Sequence, residues 1–322
     1  CFLRNLIILP TSSSFFLILV CIFSVKKILL TLKPIESFLP VQLIIKKSFI
    51  TLFFIVFLFF TNKSYSATNN IEDYGIITLM YHRFEQNKYP STNIRIEQFT
   101  NQLNLIKKSN ISFVNPNNFE DSLRNKNQDR KILLTIDDSF LSFYNNAWPI
   151  LKKNKIPFIL FVNTKDVGNS DYMNWDQVKE LSKEDFVHIG NHSHTHGYLI
   201  DEDYDYIKSD IKKSIEILNE KIGYRSSFFS YPFGEYSVEF KNIVKELNFK
   251  YAFGQHSGVA DISKNFLELP RFPINEKYGE IKRFQILLNT LPLKYKKILP
   301  EERYINNQTN PPNVNIEFFE ST

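Results

Sequence analysis

From Gly75 onward the chain alternates short apolar runs with amphipathic stretches, and this alternation limits the possible folds more than any other feature. The apolar runs are Ile76–Tyr81, Ile111–Val114, Ile132–Ile136, Phe158–Val162, Phe186–Ile189, Phe228–Tyr231, Tyr251–Phe253 and Leu267–Leu269, all of strand length. Between them, apolar residues recur at the spacing of one helix face. Phe99, Leu103 and Ile106 form one such set, and Phe240, Ile243, Val244 and Leu247 another. The clearest helix is expected over Asp203–Ile222, with Ile207, Ile211, Ile215, Leu218 and Ile222 on one face and Gly223 as its stop. Strands that alternate with helices pair in parallel. Seven or eight units in about 225 residues predict an α/β fold, a closed or nearly closed (β/α) barrel. An open doubly wound sheet is the alternative, but no glycine-rich nucleotide loop supports it.

Charge and cysteine placement separate a leader from this domain. Arg4, Lys26, Lys27, Lys33, Lys46, Lys47 and Lys63 face Glu36 alone in residues 1–66, so the net charge of +5 leaves residues 67–322 at −1. The basic pI therefore belongs to the leader. The remainder lacks the basic face that nucleic-acid binding needs, so no nucleic-acid partner is expected. Cys1 and Cys21 both lie in the leader, so any metal in the rest must be held by His, Asp, Glu or water. Ser48–Phe60 is an uncharged apolar run of 13 residues, preceded by Lys46-Lys47 and followed by Ser64, Ser66 and Ala67. That pattern predicts a signal peptide over about residues 45–66, cut before Ala67, and an exported protein. A membrane association is expected only if the leader stays uncleaved. The first Met is Met80, and synthesis is expected to begin at a non-Met codon near Val41–Ile44, with residues 1–40 as upstream translation; a double-span anchor is the alternative. The expected division is a leader over 1–66, one domain over 67–290 and a loose tail over 291–322.

In a parallel barrel the chemistry gathers where strands end at their C-terminal side. After Ile132–Ile136 come Asp137-Asp138, where one carboxylate can ligate a metal while the other handles protons. After Phe186–Ile189 come His192, His194 and His196, three of the six histidines within five residues. His192 and His196 are four apart; on a helical turn they share a face and suit one metal. His194 is expected to point elsewhere, and His188 to be structural. Tyr81-His82, Pro232-Phe233-Gly234 and Pro270-Arg271 follow three further strands. His82 and Arg271 place one acid and one fixed cation on the same rim. Tyr81, Phe84, Phe140, Tyr144, Trp175, Phe233 and Tyr236 are aromatic candidates for ligand stacking near the rim, with more than half of them expected to be packing.

Thr135-Ile136-Asp137-Asp138-Ser139, His192-Ser193-x-x-His196 and Tyr231-Pro232-Phe233-Gly234, in this order, resemble the motifs of the NodB-type polysaccharide deacetylases. The resemblance covers about Gly75 to Asn289 and implies a distorted (β/α) barrel. It implies that Asp138, His192 and His196 hold one divalent metal, zinc first, with cobalt, nickel or iron also suited. It implies that Asp137 is the base that activates water and that the backbone N–H of Phe233 helps hold the oxyanion. The expected reaction removes acetyl groups from the N-acetylated sugars of a polysaccharide and releases acetate.

The chain departs from that pattern in two places. The family's Arg in the third motif falls at Ser230, so Arg271 is expected to replace it beside Asp137. The late Leu-x-His motif is missing, so His82 is expected to supply the general acid, with His256 as the rival. Members that resemble the poly-N-acetylglucosamine deacetylases share such an early Tyr-His. An O-acetyl esterase and a non-catalytic glycan-binding barrel are the alternative functions.

Overall fold

The computed structural model describes residues 74–124 and 129–319. The leader, its signal-like run and the expected cleavage point lie outside the described residues. The strands are β1 Ile76–Tyr81, β2 Arg83–Phe84, β3 Asn93–Ile94, β4 Ser112–Phe113, β5 Lys131–Ile136, β6 Phe158–Val162, β7 Val187–Asn191, β8 Phe228–Ser230, β9 Tyr251–Phe253, β10 Val259–Ala260, β11 Phe272–Pro273, β12 Lys297–Leu299 and β13 Asn315–Glu317. The helices are α1 Ile96–Lys108, α2 Phe119–Arg124, α3 Trp148–Asn154, α4 Trp175–Ser182, α5 Tyr204–Ile222, α6 Val238–Glu246 and α7 Ile281–Leu287.

The main sheet runs β10-β1-β5-β6-β7-β8-β9, parallel from β1 to β9, with β10 antiparallel on β1. It curls into the expected distorted barrel. Leu269 bridges Phe253 of β9, and β11 then pairs in parallel with Leu79 and Met80 of β1, so residues 269–273 span the gap between the two ends. The expected strand Leu267–Leu269 therefore forms only at Leu269. Pro270 has no N–H to continue the ladder on β9, and the chain crosses to β1 instead.

Side-chain alternation sorts the strands into two layers. Ile76, Leu133, Ile159, Phe161, Phe228 and Phe253 fill the barrel interior. Ile132, Leu134, Ile136, Leu160, Val162 and Ile189 face outward, onto Phe99, Trp148 and Leu181 of the helices. The longest helix, α5, starts where Asp203 accepts the Tyr206 N–H and ends where Gly223 adopts a left-handed conformation. Its buried face holds Ile207, Ile211 and Leu218, and also two polar residues, Asp210 and Ser214. Beyond the barrel, β12 and β13 pair as an antiparallel ladder. No helix among the described residues is long and apolar enough to cross a membrane.

Candidate active site and metal centre

The inward-facing positions at the strand ends converge. On β5 the inward series Leu133, Thr135 leads to Asp137; on β7 it leads through Gly190 to His192; on β8 it leads from Phe228 to Ser230. Gly190 is required here because a Cβ would lie 2.4 Å from the Phe161 ring. The close approach seats β7, and hence His192, against β6.

Asp137 is fully buried and gripped by Arg271, whose Nη1 donates to Oδ1 at 2.8 Å and Nη2 to Oδ2 at 2.9 Å. The remaining Arg271 donors are also used: Nε to the Gly254 carbonyl at 2.9 Å, Nη1 to Thr135 Oγ1 at 3.2 Å and Nη2 to Ser230 Oγ at 2.9 Å. A guanidinium with every N–H placed tolerates complete burial. Ser230, in the position where the related motif has Arg, accepts from Arg271 and in turn donates to Asp137 Oδ2 at 3.3 Å. A small hydroxyl at that position leaves the space that the Arg271 side chain occupies. Burial pushes the Asp137 carboxyl up, but Arg271, with His192 and His82, outweighs burial and holds it below the ordinary carboxylate range.

Asp138 turns away from its neighbour. Its φ is 73° and that of Ser139 is 53°, two successive left-handed residues that break the strand direction. Asp138 Oδ1 lies 3.4 Å from His192 Nε2 and 3.3 Å from His196 Nε2. One ligand atom from each of Asp138, His192 and His196 falls within 4.8 Å of the others. Asp138 Oδ1 is buried and accepts no hydrogen bond among the described residues. A buried, ionised oxygen facing two imidazole nitrogens fits a divalent cation, and two nitrogens with one oxygen are the donor set of a zinc-type site with open positions. His192 Nδ1 donates to the Ser230 carbonyl at 2.7 Å, which fixes the tautomer that turns Nε2 toward Asp138.

The two histidines do not share a helical turn as expected. They lie on an irregular loop in which Ser193 has φ 66° and His196 φ 49°. Three side chains shape this loop. Asp210 Oδ1 accepts the His194 N–H at 2.8 Å, Asp210 Oδ2 the Thr195 N–H at 3.1 Å, and Ser193 Oγ the His196 N–H at 3.1 Å. Asn191 Oδ1 accepts the Ser193 N–H at 2.9 Å, and its Nδ2 donates to Ser214 Oγ of α5 at 2.7 Å. These bonds replace the helical ones and bring the two rings to a centroid distance of 4.7 Å. Asp210 and Ser214 carry no motif; the signal available was that they interrupt the apolar stripe of a helix. His194 points away and pairs with Thr164 Oγ1 at 2.8 Å. His188 sits in β7 against Ser226 and Phe228, as a structural residue would.

His82, partly exposed at the end of β1, lies within electrostatic range of Asp138, Asp137, Arg271 and His192. Desolvation lowers its pKa against the pull of both carboxylates. His256 has a different company: Arg303, Glu268, Arg271 and Lys264. Phe233 takes a left-handed conformation, φ 57° and ψ 3°, at the start of the turn Pro232–Gly234, where helical N–H groups have no acceptor within the turn. Its ring is 47% exposed and 4.8 Å from that of His196, while the half-exposed Tyr198 ring lies 5.5 Å beyond it. Tyr198 was not among the aromatic candidates. Of those that were, Tyr81, Phe84, Phe140 and Tyr236 are buried and serve packing.

Comparison with known proteins bears out the motif resemblance. The family described as polysaccharide deacetylase matches residues 124–252, a range that holds Asp137, Asp138, His192, His196 and Phe233 but neither His82 nor Arg271. The chain is 26% identical over 203 residues to a poly-beta-1,6-N-acetyl-D-glucosamine N-deacetylase of Staphylococcus aureus, covering 58% of this chain and 70% of that protein. The Staphylococcus epidermidis protein of the same description is 24% identical over 194 residues, 56% and 67% of the two chains. Among solved structures, a Streptococcus pyogenes deacetylase, PplD, in complex with acetate superposes with a TM-score of 0.61 at 25% identity, covering 68% of this chain and 99% of that one. IcaB from Ammonifex degensii gives the same TM-score of 0.61 at 24% identity and the same coverage.

Proposed function

We propose that this chain, which carries a polysaccharide deacetylase domain, is a metal-dependent hydrolase that removes acetyl groups from N-acetylated sugars of a polysaccharide and releases acetate. The observation that carries the reading is the division of labour between neighbouring carboxylates: Asp137 is committed to Arg271, while Asp138 faces His192 and His196. A glycan-binding barrel needs no such pairing of a base with a ligand set. The family's Arg is absent at Ser230, and Arg271 pairs with Asp137 in its stead.

Asp138, His192 and His196 would hold the ion, for which zinc is the first choice. When bound, it supplies Lewis acidity, polarising the acetyl carbonyl and lowering the pKa of water. Asp137, kept ionised by Arg271, takes the proton from the attacking water. The Phe233 N–H donates to the oxygen on which negative charge grows. His82, at the end of β1 beside both carboxylates, gives a proton to the departing amine. The exposed rings of Phe233, 4.8 Å from His196, and of Tyr198, 5.5 Å from Phe233, offer a surface to the sugar chain. The Lys46-Lys47 pair, apolar run and small residues at 64–67 support export to the periplasm or cell exterior.

Acetate release from a panel of acetylated glycans tests the substrate class, with poly-β-1,6-N-acetylglucosamine beside peptidoglycan and an O-acetylated hemicellulose. Release from the amino-sugar polymers, lost in Asp137→Asn, is expected. Release from the hemicellulose alone would overturn the reading in favour of an esterase.

A further inference from the structure

One buried polar group on the same ring of strand ends has no part in these steps. Asn163 directly follows β6 and is 1% exposed. Its place beside a candidate metal ligand is fixed by backbone: His192 N–H donates to the Val162 carbonyl at 3.0 Å, and Thr164 N–H to the Ser193 carbonyl at 3.3 Å. Val162 pairs with Asn191 in the ladder, so the next residues on each strand, Asn163 and His192, are lateral neighbours. Ile159 and Phe161 face the barrel interior, and Asn163 continues their alternation, as His192 continues that of Gly190. The Asn163 amide is oriented by one bond, Nδ2 to Asp166 Oδ2 at 2.6 Å, and Asp166 Oδ1 is steadied by Asn169 Nδ2 at 3.1 Å. Asn163 Oδ1 is buried and has no donor among the described residues.

We propose that Asn163 Oδ1 accepts the N–H of the substrate's acetamido group and so sets the preference for N-acetyl over O-acetyl sugars. This rests on the deacetylase reading above and deepens it. An acceptor left without a donor in a buried place is costly, so such a group marks where a donor arrives. An acetamide brings one carbonyl acceptor and one N–H donor; an acetyl ester brings no donor at all. The amide therefore satisfies Asn163 Oδ1, whereas the ester leaves it unpaired. A site built to bond a substrate N–H discriminates against the analogue that lacks it.

The test compares kcat/KM for N-acetylated and O-acetylated forms of the same oligosaccharide in three proteins. These are the wild type, Asn163→Leu, and the exchanged pair Asn163→Asp with Asp166→Asn. The leucine removes the acceptor at similar volume. The exchange reverses the 163–166 bond and keeps a carboxylate oxygen as the acceptor. Asn163→Leu is expected to lower the N-acetyl to O-acetyl preference about ten- to a hundredfold. The exchanged pair is expected to keep most of the preference, with bound metal and melting temperature close to wild type in both variants. Equal losses on the two substrates, or an unchanged preference, would overturn the proposal. If Asn163→Leu fails to fold, loss of the preference in the exchanged pair overturns it instead. A wild type inactive on both substrates would instead sink the deacetylase reading itself.

Discussion

Arg271 meets both oxygens of Asp137, at 2.8 and 2.9 Å, although 134 positions separate them in sequence. The pair is completely buried, and two segments of different origin are tied by it: the end of β5 and the crossing that closes the barrel between β9 and β1. The bond that keeps the proposed base ionised is thus also one that holds the barrel's seam.

Breaking one side of that pair leaves an uncompensated charge in the interior. Arg271→Met is expected to cost about 3–5 kcal/mol, whereas the double variant Arg271→Met, Asp137→Leu recovers much of it. Thermal or urea unfolding of the two singles and the double gives the coupling directly. Additive losses would mean that the contact does not carry the stability assigned to it.

Removing a ligand should separate metal binding from proton transfer. Asp138→Asn, His192→Ala and His196→Ala are expected to lose bound metal, while Asp137→Asn keeps it and loses turnover. Elemental analysis of the purified variants checks this. Asp210→Ala touches no ligand, yet it frees the N–H groups of His194 and Thr195, and metal affinity should fall about 10–100-fold.

The acid assignment turns on two histidines. His82→Ala should reduce turnover by about 10²–10⁴-fold with metal content intact, and His256→Ala should stay near wild type. The reverse pattern would transfer the acid role to His256.

His188 makes a pH prediction away from the proposed metal ligands. Burial lowers its pKa from 6.5 to about 4, so the folded protein resists a proton that the unfolded chain accepts. Its neutral form is the stable one: above pH 6.5 no stability is lost, and between 6.5 and about 4 stability falls with falling pH. The slope it contributes is at most about 1.4 kcal/mol per pH unit. His188→Gln should flatten the stability profile in that window and leave it unchanged above pH 7.

The parts of this molecule legible in the sequence are those that local pattern dictates. The strands β1, β6 and β9 have the bounds that their apolar runs predict, and α5 begins one residue inside its cap, Asp203. Asp137, Asp138, His192 and His196 stood out because strand ends with clustered ligand-type residues are rare. What escaped was set by tertiary contact. The His loop is shaped by Asp210 and Ser214 from a helix some 20 positions downstream, so its four-residue spacing suggested a helical turn. Asn163 follows a strand as plainly as Asp137 does, but a single Asn carries no pattern; what distinguishes it is a buried oxygen with no donor among the described residues. Tyr198 lies 5.5 Å from the ring of Phe233, whose left-handed turn no local rule demanded.

The central claim is that Asp138, His192 and His196 hold a divalent ion that the deacetylation requires. Chelator-stripped protein should release no acetate from poly-β-1,6-N-acetylglucosamine, and about one equivalent of zinc per chain should restore release together with free amine. Full activity in the stripped protein, or equal zinc binding by His192→Ala, would contradict it.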